Sequence, residues 1–299
     1  MPANGTDLPA VGWIGVGNLG DPICRNLIGA GIALTVYDID PARTAALAEA
    51  GAAVAGSPAE TAAASEMVFS ALPTNQALKA VAAELTGTLK PGQVYADIST
   101  VLPDASAEVA DILASSGALY LRSTVSGSTA NAVAGTLGIF CSGPREAYDK
   151  ALPVLGKIGN RSSYNGEGEE ARILKLLVNI LVAATPVLVG EALAFGRRSG
   201  LDWDAMIDAI ASSVAASPVI GYKVDTMKSR DWTPAATVDL VAKDMTLALD
   251  WGREQGVPMP FASLTRQLVA GFQASGDGEK DFFYALTWPE RMMGEGGDS

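Results

Sequence analysis

Short apolar runs and amphipathic stretches alternate along the first half of the chain. Residues 11–14 (Val-Gly-Trp-Ile) are apolar, residues 15–20 are glycine-rich, and apolar positions then recur at helical spacing through Leu27 and Ile28. Residues 33–38 and 67–72 read as two further buried strands, and the segment 41–50 opens on a proline, which is favoured in a first helical turn because its missing N–H would have no partner there. Runs at 94–97, 118–121 and 138–141 continue the series, with a helical segment at 105–114. Strands that alternate with helices in this way predict a parallel, doubly wound sheet.

Past Gly168 the period lengthens. Residues 172–198, 203–213, 237–254 and 261–274 carry apolar positions at a 3.6-residue repeat with hardly a strand signal between them. The predicted fold is therefore α/β: an N-terminal Rossmann-type doubly wound domain over residues 1–167, then an all-helical domain over 168–299, joined by a long interdomain helix. The tail 294–299 is expected to fray. The apolar run 173–195 reaches the length of a bilayer span, about 20 residues. It contains Lys175, Asn179, Pro186 and Glu191 and lacks flanking basic clusters, so a buried interdomain helix is expected rather than a membrane span.

Composition narrows the chemistry. The 299 residues are 48% hydrophobic and 18% charged, the balance of a well-packed soluble enzyme, and the net charge of −12 opposes nucleic acid and anionic membranes. A small anionic ligand would need a locally positive pocket. Cys24 and Cys141 are too far apart for a CxxC motif, and residues 1–10 show no basic-then-apolar leader, which suggests a reduced, cytoplasmic setting. The chain has no histidine, which excludes His-dependent 2-hydroxy-acid dehydrogenases, Ser-His-Asp hydrolases and most catalytic zinc sites, and no metal is expected. Protons must be handled by Lys, Tyr, Asp, Glu, Cys or water.

Three constellations remain. The first is Gly15-Val16-Gly17-Asn18-Leu19-Gly20, directly after a strand and opening a helix. Gly15 permits the tight turn, Gly17 lets the backbone approach a pyrophosphate, and Gly20 allows close packing of the helix whose N-terminal N–H groups face that anion. Asp38 ends the second strand, where an acid accepts hydrogen bonds from an adenosine ribose diol and repels a 2′-phosphate. NAD is thus expected over NADP, with the nearby Arg43 blurring the choice. The second is the polar, glycine-punctuated stretch 123–137, read as a loop before a strand that offers backbone N–H groups and hydroxyls to a carboxylate, or serves as a plain connection. The third is Lys175 with Asn179, one turn apart on one helix face. A lysine in apolar surroundings loses hydration and titrates nearer neutrality, which suits proton transfer. The alternative is a lysine that snorkels to the surface or pairs with Glu169 or Glu170. Lys243-Asp244 repeats the theme of a charged pair in an amphipathic helix.

In order and spacing these segments resemble the β-hydroxyacid dehydrogenase family, which includes 3-hydroxyisobutyrate dehydrogenase and tartronate semialdehyde reductase. The resemblance runs from about Val11 to Pro260 and takes in the glycine turn, Leu72-Pro73, Asp97-Ile-Ser-Thr100, Val-Ser-Gly at 125–127, Gly135-Thr-Leu, Gly166-x-Gly168 leading to Lys175 and Asn179, and Lys243-Asp244. It implies that Lys175 is the general acid/base and that Asn179 orients substrate and lysine. It also implies that Ser126, Gly127 and Ser128 hold the substrate carboxylate, that Lys243 closes the pocket near substrate and nicotinamide, and that Leu72, Pro73 and Thr100 line the cofactor. Homo-oligomers formed through the helical half are a further implication.

The departures bear on substrate. Many members carry Asp-Ala-Pro-Val-Ser-Gly-Gly where this chain has Arg122-Ser-Thr-Val-Ser-Gly-Ser128, so extra hydroxyls meet the anion, a carboxylate or a sulfonate. Ala236 and Thr237 stand where the resemblance would put bulkier residues, widening the expected pocket. The leading expectation is an NAD-dependent oxidoreductase that interconverts a small β-hydroxy acid and its semialdehyde or keto form. An imine reductase on the same scaffold and a non-catalytic dinucleotide-binding module are the alternatives.

Overall fold

The computed structural model describes residues 8–294, and the fraying expected of the tail lies, apart from Gly294, outside them. The first half runs β1 (Val11–Ile14), α1 (Gly20–Gly29), β2 (Leu34–Tyr37), α2 (Pro41–Glu49), β3 (Ala53–Val54), α3 (Pro58–Ala63), β4 (Met67–Ser70) and α4 (Asn75–Thr86). It continues with β5 (Val94–Asp97), α5 (Pro103–Ala114), β6 (Leu119–Ser126), α6 (Thr129–Val133), β7 (Leu137–Ser142), α7 (Arg145–Ile158) and β8 (Gly159–Tyr164). The strands form one sheet in the order β3-β2-β1-β4-β5-β6-β7-β8. The winding reverses between β1 and β4, the position at which open α/β sheets bind ligands beyond the carboxyl ends of their strands.

Side-chain alternation along the strands supplies both faces with apolar contacts. Val11 and Trp13 of β1 pack with Ile23, Cys24 and Leu27 of α1 and with α7, while Ile14 joins Leu78 and Leu85 of α4 and Val109 of α5 on the other face. Trp13 stacks on Phe69 of the neighbouring β4 with ring centroids 5.7 Å apart.

The sheet departs from the expected all-parallel form at one pairing: β7 runs antiparallel to β6. Residues 127–136, which join them, are shorter than the dozen or so that a parallel crossover takes. The stretch 123–137 is correspondingly less of a loop than expected, since β6 extends through Ser126 and α6 follows. Strand β8 reads Gly-Asn-Arg-Ser-Ser-Tyr, a polar edge strand with no apolar run to announce it.

The second half comprises α8 (Glu170–Arg198), α9 (Trp203–Ser212), α10 (Pro218–Gly221), α11 (Val224–Ser229), α12 (Val238–Glu254), α13 (Pro260–Ala274), a 3₁₀ turn (Phe282–Thr287) and α14 (Trp288–Met292). The chain divides into compact units at Lys175/Leu176, inside α8, because the first turn of α8 is bound to the sheet (below). By length and composition α8 is apolar enough to cross a membrane, and only 33% of its most apolar window is buried. Leu177, Leu181, Leu188 and Phe195 are exposed at spacings of four and seven residues, a single stripe along the helix, so the burial expected of this helix holds for its other face and not for this one.

In the helical unit, Lys223 and Asp281 form a sealed ion pair: Nζ lies 2.5 Å from Oδ2, with side chains 4% and 0% exposed. Asp281 also accepts from the N–H groups of Ala235 and Phe283, each at 3.0 Å, which fixes the segment leading into α12. Removing one member of such a pair strands the other charge. Lys223→Met is expected to cost about 3–5 kcal/mol, read as a lower urea midpoint for the helical circular-dichroism signal.

Candidate active site

The carboxyl edge of the sheet collects most of the residues singled out by sequence. The glycine turn follows β1, Asp38 follows β2, Leu72 and Pro73 follow β4, Thr100 follows β5, and Ser126-Gly127-Ser128 ends β6. Strands β1, β2, β4, β5 and β6 are mutually parallel, so their carboxyl ends share one edge. Parallel pairing thereby gathers positions that are more than a hundred residues apart in sequence.

The three glycines of the turn differ in what requires them. Gly15 has φ +94°, and a Cβ there would lie 2.3 Å from the carbonyl oxygen of Ala71; at Gly20 it would lie 2.3 Å from the carbonyl oxygen of Gly15. Both are demanded by the protein's own packing. At Gly17 the nearest atom is Arg43 Nη1, at 3.7 Å, so nothing in the turn's own packing excludes a side chain. Open space beside a bare backbone, next to an arginine and the N-terminal end of α1, is a cradle that suits a pyrophosphate. Val16 is buried, Leu19 half-buried and Asn18 exposed.

Asp38 braces the turn. Its Oδ2 accepts from the Val16 N–H at 2.6 Å, and its Oδ1 accepts from the Asp40 N–H at 2.9 Å. The carboxylate is thereby oriented at the tip of β2, where the sequence places a ribose contact.

The start of α8 is bound to three strands. Ser142 of β7 donates to the Gly168 carbonyl (2.8 Å) and accepts from the Ala171 N–H (3.0 Å), Thr124 of β6 donates to the Ala171 carbonyl (2.9 Å), and Arg122 of β6 pairs with Glu169. Arg172 completes the attachment from within. Its Nη2 donates to Asp97 Oδ2 (2.6 Å) and Tyr120 Oη (2.9 Å), its Nη1 to the Ser99 carbonyl (2.6 Å), and its Nε to Ser106 Oγ (3.2 Å). Both charged side chains are 0% exposed. Burial works against the guanidinium's charge, but Tyr120 and Asp97 outweigh it and its pKa rises. The Tyr95 and Tyr120 phenols are pushed up by burial and remain neutral partners. Asp97 also accepts from Ser70 (2.5 Å) and Ser99 (2.6 Å) hydroxyls, and Ser99 Oγ in turn accepts from the Leu72 N–H (2.8 Å).

Tyr120, Arg122 and Thr124 lie on one side of β6 by strand alternation and all meet the first turn of α8; Ser126 is the next residue on that side. Between Gly168 and Ala171 the chain advances from the level of Arg122 and Ser142 to that of Thr124, towards the carboxyl end of β6. Lys175 follows one turn after Ala171 and is half-buried. It is the last residue of the sheet-bearing unit.

Asn179 follows one turn later, in the helical unit, and donates through Nδ2 to Asp244 Oδ2 at 2.7 Å. Lys243 Nζ is 3.1 Å from the other oxygen of Asp244, a buried atom with no hydrogen-bond partner among the described residues. Asp244 thus ties Asn179 to α12. The sequence offered it as part of a charged pair but gave no hint of that partner.

Ser128 is engaged locally. It caps α6, with Oγ 2.9 Å from Asn131 Oδ1 and its own N–H 2.9 Å from the same atom. Gly127 has φ +138°, and a Cβ there would press on Leu137 and Asn131. The thiols are withdrawn from acid–base work: burial pushes Cys141 up to about 12 and raises Cys24 well above its ordinary value.

Residues 10–166 match the family model described as the NAD binding domain of 6-phosphogluconate dehydrogenase, and residues 169–288 match that described as the NAD-binding of NADP-dependent 3-hydroxyisobutyrate dehydrogenase. The chain is 31% identical to 2-(hydroxymethyl)glutarate dehydrogenase of Eubacterium barkeri, over 95% of its own length and 96% of that protein's. It is 31% identical to L-threonate dehydrogenase of Cupriavidus necator, over 91% and 93% respectively. Among solved structures it is similar to Mycobacterium tuberculosis 3-hydroxyisobutyrate dehydrogenase with L-serine, at a TM-score of 0.86 and 25% identity, covering 93% of this chain and 98% of that one.

The division of labour among the glycines is testable. Gly17→Ala is expected to melt within about 2 °C of the parent while weakening NADH binding at least about tenfold by nicotinamide fluorescence, whereas Gly15→Ala loses the folded state because its Cβ meets backbone. With both family models matching in order along its length, the chain belongs to the β-hydroxyacid dehydrogenase family and is an NAD(P)-dependent oxidoreductase that acts on the CH–OH group of hydroxy acids.

Proposed function

We propose that this enzyme interconverts a small β-hydroxy acid and its semialdehyde or keto form with NAD(H), and that Lys175 is its general acid/base. What supports the reading is the clamped first turn of α8, one turn before Lys175, on a sheet whose carboxyl edge bears the glycine turn, Leu72, Thr100 and Ser126. The cofactor supplies or accepts the hydride when bound. Lys175 protonates the carbonyl oxygen in reduction and takes the hydroxyl proton in oxidation, and a fixed ammonium also stabilises the developing alkoxide. Asn179, oriented by Asp244, holds the substrate oxygen, and Lys243 contributes positive charge on an acidic chain. Ser126 and the Gly127 N–H receive the substrate's carboxylate, with less from Ser128, whose hydroxyl and N–H are committed to the α6 cap.

The Asp38 carboxylate, aimed by two backbone N–H groups, supports NAD over NADP, against the nearby Arg43. The exposed apolar stripe on α8 supports a homo-oligomer in which a second copy covers that helix.

Lys175→Ala is expected to lower kcat by about 10²–10⁴-fold while NADH affinity stays within about threefold; an unchanged kcat would overturn the lysine's role. Steady-state rates are expected to favour NADH over NADPH by at least about tenfold, with Asp38→Asn narrowing the gap. A spectrophotometric screen of NADH oxidation across glyoxylate, succinic, methylmalonate and tartronate semialdehydes and sulfolactaldehyde identifies the substrate.

A further inference from the structure

Arg172 is second only to Trp13 among the largest fully buried side chains, and the proposed chemistry makes no direct use of it. A guanidinium sealed from water is a poor choice if cohesion is the only requirement, because a well-packed apolar side chain often stabilises as much or more. This one is also fully directed. Its five N–H groups are aimed at Asp97, Tyr120, Ser99 and Ser106, in a planar fork that a lysine cannot reproduce.

The partners show what the fork connects. On one side Arg172 belongs to the first turn of α8, three residues before Lys175. On the other it holds the carbonyl of Ser99 and the carboxylate of Asp97, and Asp97 holds the Ser99 hydroxyl, which accepts from the Leu72 N–H. The loop after β4, the loop after β5 and the lysine's helical turn are therefore joined through one buried guanidinium by direct hydrogen bonds. Hydride transfer and proton transfer act on adjacent atoms of the same substrate. Their geometry must agree closely, since a misplacement of about 1 Å can cost about a hundredfold in rate.

We propose that Arg172, with Asp97, is the positioning pair of this enzyme, setting Lys175 in register with the Leu72 and Ser99–Thr100 loops that face the cofactor. The proposal rests on Lys175 as proton donor. It predicts a kinetic signature that a purely cohesive residue would lack.

The test is Arg172→Lys in the full-length enzyme, alone and combined with Lys175→Ala. In the single variant kcat is expected to fall about 30- to 100-fold, with KM and the NADH dissociation constant within about threefold and a larger deuterium isotope effect on kcat with 4-deuterated NADH. In the Lys175→Ala background the same substitution is expected to cost less than about threefold, because the group it positions is gone. A lowered melting temperature with kcat and isotope effect unchanged would overturn the proposal, as would an equal loss in both backgrounds. An active Lys175→Ala single variant instead refutes the lysine assignment, so the two failures are distinct. If Arg172→Lys does not fold, Tyr120→Phe and Ser106→Ala each remove one acceptor without uncovering a charge. Each is then expected to lower kcat about three- to tenfold, and no change in either would overturn the proposal.

Discussion

The organisation of the sheet-bearing unit depends on a charge pair closed off from solvent. Asp97 ends β5 at 0% exposure, and a carboxylate there is tolerable only with donors on both oxygens; Arg172, Ser70 and Ser99 provide them. Arg172 belongs to a helix that would otherwise only be leaning on the sheet. Satisfying the buried acid and anchoring α8 are the same act, and this is why the compact unit ends at Lys175 rather than at the last strand. The weaker ties at Thr124, Ser142 and Arg122 set the helix's direction once the pair has fixed its origin.

The same edge shows how a backbone motif divides between folding and binding. Gly15 and Gly20 are glycines because neighbouring carbonyl oxygens leave no room for a carbon, whereas Gly17 is bare with nothing of the protein's own pressing on it. Asp38 links these roles by bracing Val16 while keeping a carboxylate at the tip of β2. On a chain with net charge −12, affinity for an anionic substrate must come from a few placed groups. In the proposed reading Lys175 and the backbone N–H groups after β6 supply them.

Most of the architecture was legible because it rests on period. Alternating apolar runs announced β1, β2, β4, β5 and β7, and the 3.6-residue repeat located α8, α9, α12 and α13 to within two residues. What escaped notice lacks a local signature. Strand β8 is polar and β3 has two residues, while the reversal at β7 follows from a connection whose length matters more than its composition. The site was legible where a motif is contiguous, as at the glycine turn. It was illegible where a residue's role comes from a distant partner: Arg172 and Asp97 are 75 positions apart, and Asn179 and Asp244 are 65 apart. The apolar composition of α8 was read as burial, yet hydropathy measures what a helix tolerates and not what covers it.

The burial of both cysteines, in a chain with no histidine, leaves side chains that mostly sit at one end or the other of the pH scale. Burial raises both thiols, so neither loses its proton near neutrality. With no imidazole in the chain, an inflection of rate near neutral pH traces to neither a histidine nor a cysteine.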